Sequence, residues 1–155
     1  MRNKAISQIR FEIQQIEQLF ETYSGLLERV RRETPGMIEI TAIASVMHSF
    51  YNGLENIFRS IAREIDADIP TGDRWHRDIL TKMTESTDFR DPILSHETFL
   101  RLTEYLAFRH FYRHSYSFIL EWDELEKLVI PLPEVWEQVK HELHAFLDTL
   151  IIGTP

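Results

Sequence analysis

The amino-acid sequence predicts an all-α protein, a bundle of four to five helices in which long elements run antiparallel. Apolar residues recur at steps of three and four through most of the chain, the period of a helix face packed on its neighbours. Only 5 Gly and 6 Pro occur in 155 residues, which leaves few positions for turns. No Pro/Gly/Ser-rich linker, internal repeat or low-complexity tract divides the chain, so residues 1–155 are expected to form a single helical domain.

The first helix is expected over about residues 3 to 32. Its stripe of Ile6, Ile9, Ile13, Ile16, Phe20, Tyr23, Leu27 and Val30 is the seam of a long helix on a near-parallel neighbour, and Thr34-Pro35-Gly36 ends it. A second helix is predicted over about residues 37 to 65, carrying Ile43, Met47, Phe50, Leu54, Ile57, Ile61 and Ile65. Residues 66–73, with Pro70 and Gly72, read as a loop. A short helix follows over about 74 to 83, with Trp75, Ile79 and Met83 on one side, and residues 86–92 form another connection. Ser95 is placed as an N-cap, with Glu97 in the first turn where the helix dipole favours negative charge. That helix is expected to continue to about Leu128, where Pro131 and Pro133 stop it. A last helix over about 134 to 150 presents Val135, Val139, Leu143, Phe146 and Leu150.

Composition narrows the function classes. With 43% apolar and 27% charged residues the chain has the make-up of an ordinary globular protein able to bury a core. The absence of cysteine excludes a disulfide scaffold and a thiolate metal site. No continuous apolar run follows Met1-Arg2-Asn3-Lys4, so neither a signal peptide nor a membrane span is expected, and the expected location is the cytoplasm. A net charge of -8 speaks against nucleic-acid binding over the whole surface, which relies on a broad basic face. An acidic protein that handles RNA has to concentrate its cations at one place.

Such a place exists between Tyr105 and Leu120. At about 100° per residue, Phe108, Phe111, Tyr112, Ser115, Phe118, Ile119 and Trp122 fall together toward the core. Arg109, His110, Arg113, His114 and Ser117 fall on the opposite, exposed face, and no acidic residue intervenes between Glu104 and Glu121. Histidine transfers protons near neutral pH, and the arginine fork matches phosphate oxygens. RNA supplies its own nucleophile, the 2'-hydroxyl, so a base and a cation suffice for cleavage without a metal. The same residues also read as a solvated surface. His110 and His114, one turn apart, could hold a metal, but no third ligand is evident, and neither a metal nor a cofactor is expected. His48, Asn52, Glu55 and Arg59 form a polar strip on the second helix that either lines the same cleft or, the favoured reading, faces solvent. Trp75 reads as an anchor for the short helix, and the cluster Arg29, Arg31 and Arg32 as cations at a helix C-terminus.

The spacing Arg109-(four residues)-His114-Ser-Tyr116 resembles the Arg-x4-His-x-Tyr motif of HepT toxins in the HEPN superfamily of helical RNases. The stretch from Met47 to Asn56, the segment Asp73-Arg-Trp75-His76 and the run from Phe108 to His114 resemble HepT-like domains found beside nucleotidyltransferase genes. The resemblance implies a HEPN-like homodimer that cleaves RNA in a cleft at the helix interface. Arg109 would stabilise the phosphate and His114 would be the general base. The resemblance assigns no role to His110 and Arg113, which read equally as residues that hold RNA and as surface decoration. Tyr116 matches the tyrosine to which a partner antitoxin, an MNT-type nucleotidyltransferase, adds AMP from ATP; the added charge and bulk would block the cleft. The chain lacks the Gly-Ser and paired-Asp signature of that enzyme, so the antitoxin would be another chain. A reading of another class is a catalytically silent HEPN-like module that binds a nucleotide or a partner protein. A helical metal protein ranks last, since the inward Glu and Glu-x-x-His repeats of such sites are missing.

Overall fold

A computed structural model describes residues 2–114, 116 and 120–152. Its helices are α1 (Arg2–Thr22), α2 (Ser24–Arg29), α3 (Met37–Glu64), α4 (Trp75–Lys82), α5 (His96–Arg113), α6 (Trp122–Val129) and α7 (Leu132–Ile152). Among the described residues there is no strand, only an isolated bridge between Thr87 and Arg90, so the all-α bundle is the observed fold. No helix among them is long and apolar enough to cross a membrane.

α3 is the central element and touches α1, α2, α4, α5 and α6. It is apolar on nearly every side, as a helix surrounded by others must be. α1 runs antiparallel along it. Lys4 meets Glu64 at 3.4 Å, Ser60 donates to Gln8 at 2.5 Å, and Asn56 donates to Glu12 at 3.3 Å. Gly53 permits the closest approach, since a Cβ there would lie 2.9 Å from Ile16 Cγ1. An aromatic cluster closes the far side of the core: Trp136 of α7 stacks on Phe20 at 6.3 Å and meets Phe50 edge-on at 6.1 Å. Phe50 in turn meets Tyr105 of α5 at 5.7 Å.

The helix starts follow capping chemistry. Glu39 accepts the Gly36 N–H at 3.1 Å and pairs with Arg29, which ties α2 to the first turn of α3. Ser95 caps α5 as expected, its hydroxyl accepting from the Thr98 N–H at 3.2 Å.

Two expected helices are divided. The first is interrupted at Tyr23, whose φ of -104° and ψ of 13° bend the chain so that Leu27 and Val30 can still be buried. The helix from Ser95 does not reach Leu128, because α5 ends at Arg113 and a separate helix resumes at Trp122. A single helix over that span would be roughly 50 Å long. It would carry Leu120, Leu125 and Val129 past the end of the bundle, whereas all three are buried in the core. Tyr105 fixes the reversal by donating its hydroxyl to the Leu128 carbonyl at 2.6 Å. Ser115, Ser117, Phe118 and Ile119, which the periodicity assigned to helix faces, lie outside the described residues.

A buried ion pair organises the connection around α4. Arg90 reaches Asp66 through two hydrogen bonds, 2.9 Å from Nε and 2.8 Å from Nη2, with side chains only 2% and 1% exposed. Its remaining N–H groups go to the carbonyls of Glu85, Asp91 and Lys82. The end of α3, the end of α4 and the segment leading to α5 therefore converge on one guanidinium. Arg90→Ala, which strands a buried carboxylate, is expected to destabilise the fold by about 3–5 kcal/mol, read as a lowered denaturant midpoint.

Candidate functional site

The polar face of α5 is not a single exposed strip. Arg109 turns toward α3, while His110 and His114 point outward with ring centroids 4.6 Å apart. The Arg109 side chain is only 11% exposed. Its Nε donates to Asn52 Oδ1 at 2.9 Å, and its Nη2 lies 3.6 Å from Glu55 Oε1. Arg113, one turn on, is exposed but close enough to act on His48 across the groove. Phe111, expected in the core, is largely exposed, while Phe108 is buried and Tyr112 packs against the His48 ring at 4.8 Å.

The polar strip of α3 is therefore an inner wall at Glu55 and, half-buried, at His48 and Asn52, while Arg59 at its end is exposed. Glu55 is buried, with a side chain 6% exposed. It shares the side of α3 that carries Tyr51 and Phe58, both fully buried, because those residues stand one helical turn away in each direction. A carboxylate in such surroundings demands partners. It has two: Arg109 on one oxygen, and His76 of α4, whose Nδ1 stands 2.7 Å from Glu55 Oε2, on the other. The His76 ring lies against Trp75 at 3.6 Å, and Arg59 of α3 sits 5.0 Å over the Trp75 ring. Trp75 thus anchors α4, as the sequence suggested, and also walls the site.

Asn52 links the two halves of the groove. Its oxygen accepts from Arg109, and its Nδ2 donates to His48 Nε2 at 3.1 Å. Burial holds the His48 pKa below its ordinary value, and the cations Arg109 and Arg113 lower it further. Burial also pushes the Tyr51 hydroxyl well above its usual range, with Glu55 adding to the effect and Arg109 and Arg77 opposing it. Among the described residues, Tyr51 Oη and His48 Nδ1 are the buried polar side-chain atoms without a hydrogen-bond partner.

His114 occupies the C-cap of α5, where φ is -114° and ψ is 10°, and its side chain is exposed. Tyr116 lies two residues beyond, outside the helix and 74% exposed. The structure thus gathers Arg109 with Asn52, Glu55, His48 and His76, and sets His110, His114 and Tyr116 on an outer surface at the end of the same helix. Among the described residues, no group of three or more His, Asp or Glu could hold a metal ion.

Periodicity put Asn52 and Glu55 on a polar strip for which solvent was the favoured reading over the cleft, and it did not single out His76. The available signal was Glu55 itself, a charged residue on an otherwise apolar side of a helix.

The model for the family described as HepT-like protein matches residues 42–150, from within α3 nearly to the end of α7. The chain belongs to the HepT-like family. It is a HEPN-superfamily protein, and the Arg109, His114 and Tyr116 spacing lies inside the matched region of this HepT-like chain. No curated protein and no solved structure was found to match it.

The neutral state of His48 has a consequence for stability. The unfolded chain takes up a proton at His48 near the ordinary value of 6.5, whereas the folded chain resists it. The stability tied to neutral His48 is therefore complete above that value and is lost as the pH falls below it. Wild type is expected to lose more melting temperature than His48→Gln when taken from about pH 7 to about pH 5.5 in matched thermal scans.

Proposed function

We propose that the chain is a metal-independent RNA endonuclease, the toxin of a toxin–antitoxin pair. The observation that carries this reading is the placement of Arg109 in a HepT-like protein: a cation at a fixed position in a polar groove, on the helix that ends at His114. The 3.6 Å separation from Glu55 is Coulombic rather than a hydrogen bond, so the terminal N–H groups of Arg109 can serve phosphate oxygens. His114 takes the proton of a ribose 2'-hydroxyl, and the oxygen attacks the adjacent phosphorus. Arg109 stabilises the charge on the phosphorane oxygens. The bond from phosphorus to the 5'-oxygen breaks, leaving a 2',3'-cyclic phosphate and a 5'-hydroxyl. His110 beside His114 and Arg113 beside the groove hold the flanking RNA. A second copy of the chain completes the cleft as a homodimer.

Regulation follows from Tyr116. An MNT-type nucleotidyltransferase transfers AMP from ATP: the tyrosine oxygen attacks the α-phosphorus, pyrophosphate leaves, and the phenolic proton passes to the transferase. Its 74% exposure suits it to this role, and the added phosphate charge two residues from His114 repels RNA.

The test is cleavage of a labelled RNA by the purified chain in EDTA. Wild type is expected to cut, and His114→Ala to cut about 10²–10⁴-fold more slowly. Equal rates would remove His114 as the base, and no cleavage by folded wild type would favour a binding module. A cognate nucleotidyltransferase with ATP is expected to add the mass of AMP to the peptide containing Tyr116. Labelling that persists in Tyr116→Phe would remove that residue's role.

A further inference from the structure

We propose that His76, oriented by Glu55, is the general acid that protonates the leaving 5'-oxygen. The inference rests on the RNA-cleaving reading above and supplies the step it leaves open. His114 removes a proton from the nucleophile, but the departing 5'-oxygen has to gain one, and an alkoxide is a poor leaving group without it.

Three observations select His76. Its Nδ1 is 2.7 Å from Glu55 Oε2, within the range of a charge-assisted bond. An ionised carboxylate only accepts, so Nδ1 carries hydrogen and Nε2 is the ring position that exchanges a proton with a ligand. This is the relation of carboxylate to histidine that fixes a tautomer and stabilises the imidazolium in hydrolytic triads.

Second, the other oxygen of the same carboxylate faces Arg109. One buried group therefore sets both the cation that would bind phosphate and the histidine beside it. Third, contact with Trp75 at 3.6 Å fixes the plane of the His76 ring. His48 does not fit this role. Its Nε2 already accepts from Asn52, and burial opposes the charged form an acid needs. His110 points outward beside His114.

The step balances. His114 takes the 2'-hydroxyl proton, the 2'-oxygen bonds to phosphorus, and the bond to the 5'-oxygen breaks. The Nε2 proton of the His76 imidazolium then passes to that oxygen. Exchange with water returns both histidines to their starting states. His76 is the catalytic residue in this step, and Glu55 is a positioning residue acting through it.

The experiment compares two dinucleotide substrates in EDTA, one with the natural 5'-oxygen and one with sulfur in its place. A thiolate leaves without protonation, so the sulfur substrate bypasses a general acid. His76→Ala is expected to lose about 10²–10⁴-fold on the oxygen substrate and to stay close to wild type on the sulfur substrate. His114→Ala is expected to be slow on both. Glu55→Gln, which also loosens Arg109, is expected to lose more on oxygen than on sulfur; equal losses would remove its action through His76. His76→Gln keeps an amide able to donate to Glu55, and it is expected to show the same selectivity if the alanine variant fails to fold.

A folded His76 variant that cuts the oxygen substrate at the wild-type rate overturns the proposal. Equal slowing on both substrates also overturns it, assigning His76 a structural role. Failure of wild type on both substrates instead sinks the ribonuclease reading, because it does not depend on His76.

Discussion

The structure depends on a carboxylate placed where a helix would ordinarily carry an apolar side chain. Glu55 stands with Tyr51 and Phe58 on the inner side of α3, and water cannot solvate it there. Its charge is tolerable because α4 and α5 each bring a partner to it, a hydrogen bond from His76 at one oxygen and the Arg109 charge near the other. The demand runs in both directions. The guanidinium and the imidazole are held in place because the carboxylate has nothing else to satisfy it. Packing of three helices and placement of two ionisable groups are thus consequences of one residue.

The second constraint is the end of α5. A helix that stopped later would have kept His114 in line with Arg109 and fixed their separation. Ending at Arg113 instead puts Arg109 on the rigid part of the helix and His114 at its cap. The Arg109 guanidinium is held by Asn52 and lies beside Glu55, while the exposed His114 is set by a helix terminus. The two rows of α5, Arg109 against α3 and the two histidines outward, follow from 100° steps around a helix with only one buried side.

Much of the fold was legible in the sequence because helix periodicity is a local signal. The stripes of α1, α3 and α7 read directly onto buried residues, and Ser95 declared its cap through its side chain. The end of α5 was not legible, since neither Pro nor Gly marks it. It ends because Leu120, Leu125 and Val129 bury better when the chain reverses, which is a property of the assembled core. The same division holds at the site. Arg109, His114 and Tyr116 were visible as a spacing within one segment. The links of Arg109 to Asn52 and of Glu55 to His76 join residues 57 and 21 positions apart, and periodicity within a single helix carries no information about them. The strip on α3 was misread as solvated because its outer residue Arg59 and its inner residue Glu55 are equally polar, although only one is buried.

The clamp at Arg90 separates two parts of the connection from α3 to α5. Asp66 at one end and the carbonyls of Lys82, Glu85 and Asp91 at the other are locked to a single guanidinium, and Ile79, Leu80 and Met83 seat α4 independently. Between these anchors, residues 67–74 are mostly exposed and include Gly72 in the left-handed region at φ 101°. Insertions or deletions in that tip leave both anchors of α4, and so the seat of His76, where they are. In lineages descended from this chain, length variation should accumulate at the tip while the spacing from Trp75 to Arg90 stays constant.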